Sequence, residues 1–153
     1  MAKSRNLKMV ESITVVQTNW QLDEGVIKSV RMPVFVQEQQ VPYEIDFDSN
    51  DANAVHWLAF SDDNIPVGTA RLLKDGHFGR MAVIKMYRNQ GIGRSIIQTA
   101  MDYASSLGME SIYLNSQLQA KTFYEGLGFK EYGDVFLEAN IEHVSMSKKL
   151  RSI

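Results

Sequence analysis

Apolar positions along this chain switch between an alternating and a helical rhythm, and the switches predict an ordered series of strands and helices. Residues 12–18, Ser-Ile-Thr-Val-Val-Gln-Thr, are rich in β-branched side chains and predict a first strand. From Leu22 to about Gln39 the apolar residues Leu22, Val26, Ile27, Val30, Val34 and Phe35 recur at helical spacing, interrupted by Pro33. Pro42 to Asn53 is acidic and rich in turn formers, and is expected to be a surface loop.

Val55–Phe60 and Val67–Leu73 predict a second and third strand, separated by a turn that includes Asn64-Ile65-Pro66. Asp75-Gly76 signals a tight hairpin into a fourth strand over about His77 to Ile84. Ile92, Ile96, Ile97, Ala100, Met101, Ala104 and Leu107 then form one helical stripe that Gly108 stops. A fifth strand, Ser111–Asn115, follows a helical crossover, which favours parallel pairing with the fourth. A short helix over about Gln119–Leu127 precedes two last strands, Phe129–Tyr132 and His143–Lys148, placed around the segment Asp134–Glu142. The order describes one α+β domain over residues 1–153.

Charge and composition narrow the chemistry. Lys+Arg number 16 against 18 Asp+Glu, a net charge of -2, so no basic excess points to nucleic acid or an anionic membrane. The chain has no cysteine, which excludes thiolate zinc sites and a cysteine nucleophile. No apolar run resembles a signal peptide or a membrane span, and the cytoplasm is the expected location. Asp46, Asp48 and Asn50 alternate like the start of a calcium loop, but the required Gly and closing Glu are missing, and no metal is expected.

The strongest local signal is Arg88-Asn89-Gln90-Gly91-Ile92-Gly93, where an apolar strand hands over to a helix. The first amides of a helix lack intrahelical partners and carry the positive end of its dipole, and glycine lets an anion approach closely. Arg88 and Arg94 bracket the loop. No Gly-Lys-Ser/Thr follows for a Walker loop, and Ile96 stands where a dinucleotide fingerprint needs its third glycine.

With its neighbours, this loop resembles that of the GNAT superfamily of acetyl-CoA-dependent acyltransferases over nearly the full chain. The matching segments are Arg88 to Gly93, Phe123-Tyr124-Glu125-Gly126-Leu127-Gly128-Phe129, and the order of elements around them. Val34 to Pro42, Leu114-Asn115-Ser116-Gln117 and Ile141-Glu142-His143 further resemble the small bacterial ElaA-like branch. The resemblance implies an acyl-CoA N-acyltransferase fold, α+β in three layers. Its mixed sheet of about seven strands would be splayed between the fourth and fifth and flanked by helices. It also implies acetyl-CoA as co-substrate and transfer of the acetyl group to a primary amine of a small molecule or peptide; separately, exposed strand edges and eight methionines are compatible with a monomer or a homodimer.

By the same resemblance, the backbone of Met81, Ala82 and Val83 would bind the pantetheine arm. Arg88, Asn89, Gln90, Gly91, Ile92, Gly93 and Arg94, with the Ser95 hydroxyl, would hold the diphosphate, and Asn115 and Tyr124 would meet the cofactor from the other side. Tyr124 matches the tyrosine assigned as general acid in relatives. A phenol of pKa about 10 facing a thiol of about 8.5 suits it better to donating a hydrogen bond than to full proton transfer. Many relatives carry a glutamate on the fourth strand, whereas His77-Phe78-Gly79-Arg80-Met81 has no carboxylate. The candidate bases are Glu38, Glu44, His56, His77 and His143, with His77 expected to be solvated and Glu38 and His143 beside the acceptor cleft. The missing glutamate leaves a CoA-binding sensor without turnover as the alternative. Arg71 and Arg80 either recognise an acidic acceptor or pair across strands, and the acidic run from Glu44 to Asp51 would favour a cationic one.

Overall fold

A computed structural model describes residues 12–150. Two sheets form the frame. Strands β1 (Thr14–Thr18), β2 (Val55–Phe60), β3 (Pro66–Leu72) and β4 (Phe78–Val83) make an antiparallel sheet in that order, and β5 (Ser111–Gln117), β7 (Ile141–Lys149) and β6 (Lys130–Glu138) make a second in the order β5-β7-β6. The expected parallel pairing of β4 with β5 shrinks to one bridge, His77 to Tyr113, with the Tyr113 amide donating to the Gly76 carbonyl at 3.0 Å. Beyond that point the two strands part.

Helix α1 (Trp20–Arg31) starts at Asn19, whose side chain accepts from the Leu22 amide. Pro33 cannot continue the α-helical ladder, and the chain widens into a π-helical turn over Met32–Glu38. Helix α3 (Ile92–Ser106) lays Ile96, Ile97, Ala100 and Ala104 onto the first sheet, where Trp57, Val67, Ala70 and Phe78 complete the core. Gly68 permits that approach, since a Cβ there would lie 2.9 Å from Ile96 Cδ1. The fourth helix of the chain's α set, α4 (Lys121–Gly126), follows β5 through a short 3₁₀ turn.

Two regions depart from the sequence expectation. Pro42–Asn53 is not a solvated loop: it holds helix α2 (Tyr43–Asp46) and a 3₁₀ turn (Ser49–Asn53), and Asp46 and Asp51 are buried. Asp134–Glu142 does not lie between the last two strands: it supplies the second half of β6, the turn, and the first two residues of β7. Gly133, at φ +76, sits in a bulge of β6, and the reversal comes at Ala139 and Asn140, both at positive φ. Among the described residues no helix is long and apolar enough to cross a membrane.

Candidate active site

Where β4 and β5 part, they open a cleft of about 620 Å³. Its floor and walls include Met81 and Val83 of β4, Asn115 and Gln117 of β5, Tyr124 of α4 and His143 of β7. One edge of β4 pairs with β3 and the other faces this space. The Ile84 amide donates to the Val67 carbonyl, so strand alternation turns Ala82 toward β3 as well and points the Val83 backbone into the cleft. Ala82 therefore does not fit the expected pantetheine contact; its side chain is buried against Val30 and Val34. Opposite Ala70, β4 bulges, with Arg80 at φ +51.

The glycine loop follows. Asn89 (φ +65) and Gly91 (φ +83) take left-handed conformations, Gly91 as the cap of α3. Among the described residues the amides of Asn89, Gln90, Gly91, Ile92, Gly93 and Arg94 have no protein acceptor, whereas the Ser95 amide bonds the Gly91 carbonyl at 3.0 Å. Six free donors thus line one turn. Arg88 is different from the expectation: its amide donates to the Lys85 carbonyl, its Nε donates to the Val83 carbonyl at 2.9 Å, and its guanidinium forks onto Glu38 at 2.6 and 2.7 Å. Its positive charge is already compensated.

The candidate bases separate in the structure. His56 is buried with Nε2 2.9 Å from the Asp51 carbonyl oxygen, and burial pushes its pKa down. Glu44 is exposed on α2. Glu38 lies outside the cleft lining, and its hydrogen bonds to Arg88 hold its carboxyl below the usual range, which makes it a weaker base. His77 is not solvated: it is half-buried in the cleft wall and stacked on Tyr113 at 4.7 Å, with burial lowering its pKa. His143 lines the cleft, is 7% exposed and stacks on Phe136. Its Nδ1 lies 2.7 Å from the Ile141 carbonyl oxygen, which assigns the proton to Nδ1 and leaves the Nε2 lone pair free.

Tyr124 is buried at the cleft and has no hydrogen-bond partner for its hydroxyl among the described residues, and burial pushes its pKa up. Asn115 accepts from the Ser145 hydroxyl at 2.9 Å through Oδ1, which leaves its amide NH₂ for the cleft. A chain of amides that no local periodicity foretold closes one side: Gln117 donates to Gln39 at 2.8 Å and accepts from Gln119 at 2.6 Å.

Arg71 and Arg80 are not free for an acidic acceptor. Arg31, Arg71 and Arg80 interlock with Asp46, Asp48 and Asp51 in a network of ion pairs between 2.6 and 3.2 Å. Three positive charges meet three negative ones, so Asp46, Asp48 and Asp51 contribute no net charge to the cleft wall, and Glu44, the fourth carboxylate of the run, is exposed and outside the lining.

A family profile described as the acetyltransferase (GNAT) domain matches residues 24–150. The chain belongs to this family. The uncharacterized N-acetyltransferase YjcF of Bacillus subtilis is 36% identical to this GNAT chain over 123 residues, covering 78% of the chain and 87% of YjcF. The crystal structure of an acyl-CoA N-acyltransferase from Pseudomonas aeruginosa superposes with a TM-score of 0.79 at 27% identity, covering 90% and 99% of the two chains. That of Escherichia coli ElaA superposes with a TM-score of 0.77 at 25% identity, covering 88% and 99%. The GNAT fold and the ElaA likeness expected from the sequence are both borne out, and the protein is an acyltransferase of the acetyl-transferring kind.

Proposed function

We propose that this GNAT protein transfers the acetyl group of acetyl-CoA to a primary amine by direct attack while both are bound. The observation that carries the reading is the pairing of an open β4 edge with six unpartnered amides at the start of α3. A diphosphate fits those amides, and a pantetheine arm fits the gap as a surrogate strand. Gly91 leaves open space beside the loop, with nothing within 4 Å of a Cβ built there. Acetyl-CoA supplies an activated thioester carbonyl.

The residues of the chain then divide the work. Asn89 to Arg94 hold the diphosphate through backbone donors, with the Ser95 hydroxyl beside them; Arg88, its amide and guanidinium engaged, braces the loop instead. The Met81 backbone, the Val83 N–H and the Asn115 amide orient the arm, the Val83 carbonyl being held by Arg88. A β4 amide donates to the carbonyl oxygen as charge gathers there, which stabilises the attack. His143 Nε2 takes the proton that the acceptor amine must lose, since an ammonium of pKa about 10.4 has no lone pair to attack with. Tyr124, whose raised pKa keeps its proton in place, donates a hydrogen bond to the departing sulfur. Among the candidate bases His143 is favoured over Glu38 because its lone pair faces no protein donor and Glu38 is locked to Arg88.

Release of free thiol from acetyl-CoA over a panel of primary amines tests the reaction, and binding of acetyl-CoA with no release for any amine would overturn it. His143→Gln tests the base. It should lower kcat/KM for the amine by about a hundredfold or more with acetyl-CoA affinity unchanged, and unaltered turnover would remove His143 from the mechanism.

A further inference from the structure

The acceptor end of the cleft carries a charge that the ion-pair network does not cancel. Of the cleft-lining ionised groups, Asp46 and Arg80 are absorbed into the buried network and Arg88 is neutralised by Glu38. Glu138 lines the same cleft, is exposed, and has no cation within ion-pairing distance among the described residues. It stands at the end of β6, directly opposite Ile141 across the hairpin, while Phe136 stands opposite His143.

That register gives a ruler. Phe136 and Glu138 are two residues apart on one strand and so project from the same face, and Phe136 stacks on His143 at 5.9 Å. Glu138 is therefore displaced from His143 by two strand residues, roughly 7 Å. The lining they share includes the apolar Phe35, Val41, Ala139 and Ile141 beside the amides of Gln39, Gln117 and Gln119.

We propose that the acceptor is a compact aliphatic diamine, one amine deprotonated at His143 and the other, still an ammonium, held by the Glu138 carboxylate. An extended four- or five-carbon diamine places its nitrogens roughly 6–8 Å apart, which matches the register. The apolar lining takes the methylene chain, and the neutral network neither adds to nor opposes the attraction. The inference rests on the acetyl-transfer reading for the role of His143, but the ammonium subsite is a binding property of its own.

The test separates the two. Calorimetry on the CoA-loaded protein compares 1,4-diaminobutane with butylamine. The diamine should bind about fivefold to tenfold more tightly, and Glu138→Gln should abolish that difference while leaving CoA affinity unchanged. In thiol-release assays the same variant should raise KM for the diamine by a similar factor and leave kcat and the KM of butylamine as they were. Equal binding of the two amines by the natural chain, or a diamine preference that survives Glu138→Gln, would overturn the subsite even with transfer intact. Diamine-selective binding without thiol release would uphold the subsite and overturn the transfer reading.

Discussion

Removing Arg31 is the sharpest test of the buried network that shapes the cleft wall. The side chain is 1% exposed and lies 4.6 Å from the Phe47 ring centroid. Its guanidinium donates to the Asp46 carboxylate at 3.2 Å, the Asp46 carbonyl at 2.5 Å and both oxygens of Asp51 at 2.8 and 3.3 Å. Arg31→Met keeps most of the volume and leaves two arginines facing three carboxylates. Breaking a buried ion pair by deleting one partner costs about 3–5 kcal/mol. Here Asp51 keeps Arg71 and Asp46 keeps Arg80, so the lower end, about 3 kcal/mol, is expected. For a domain of this size that lowers Tm by roughly 6–12 °C. Urea denaturation followed by circular dichroism measures it. Adding Asp46→Asn, which removes the surplus negative charge, should restore part of the loss. A cost under about 1 kcal/mol for Arg31→Met, together with no recovery in the double variant, would refute the claim that charge balance holds this region together.

Other expectations follow from the same physics. Ala139 sits at φ +49 in the turn between β6 and β7, where a Cβ costs about 1 kcal/mol. Ala139→Gly should therefore raise stability by about 0.5 kcal/mol after the added chain entropy, and a loss in denaturant midpoint would refute the strain. Acid should destabilise the fold. Glu38 is held below its usual range by Arg88 and Asp75 by the Tyr113 hydroxyl, and Asp48 is lowered because Arg71 outweighs the burial that would raise it. A depressed carboxyl stabilises above its unfolded pKa and loses that contribution as pH falls through the folded value, so urea midpoints should drop from pH 6 to pH 3. Asp46, pushed up by burial, acts in the opposite sense and offsets part of the drop; a flat or rising midpoint would refute the linkage.

How much of this was legible in the sequence depends on whether the controlling interaction is local. The stripe on α3 from Ile92 to Ala104, the strands β2 and β3 and the Asp75-Gly76 hairpin are set by periodicity and turn chemistry within a few residues, and they appear where the pattern put them; Leu107, counted in that stripe, instead caps the helix and is exposed. The acidic segment misled because its meaning is set from afar. Asp48 and Asp51 meet Arg71 from 23 and 20 positions away, and Asp46 meets Arg80 from 34 positions away, so a run that reads as solvated is a buried counter-charge. The segment Asp134–Glu142 misled for another reason: β6 continues through a bulge at Gly133, and only pairing with β7 reveals that. The same distinction divides the site. Free amides from Asn89 to Arg94 are a property of one loop and could be anticipated from its glycines, whereas Arg88 was expected to serve an anion and instead serves Glu38, 50 positions earlier. The acceptor subsite lies wholly on the far side of that divide. Glu138 carries meaning only after the network has cancelled every nearer charge and the β6–β7 register has set its distance from His143, and neither quantity exists in the sequence until the chain is folded.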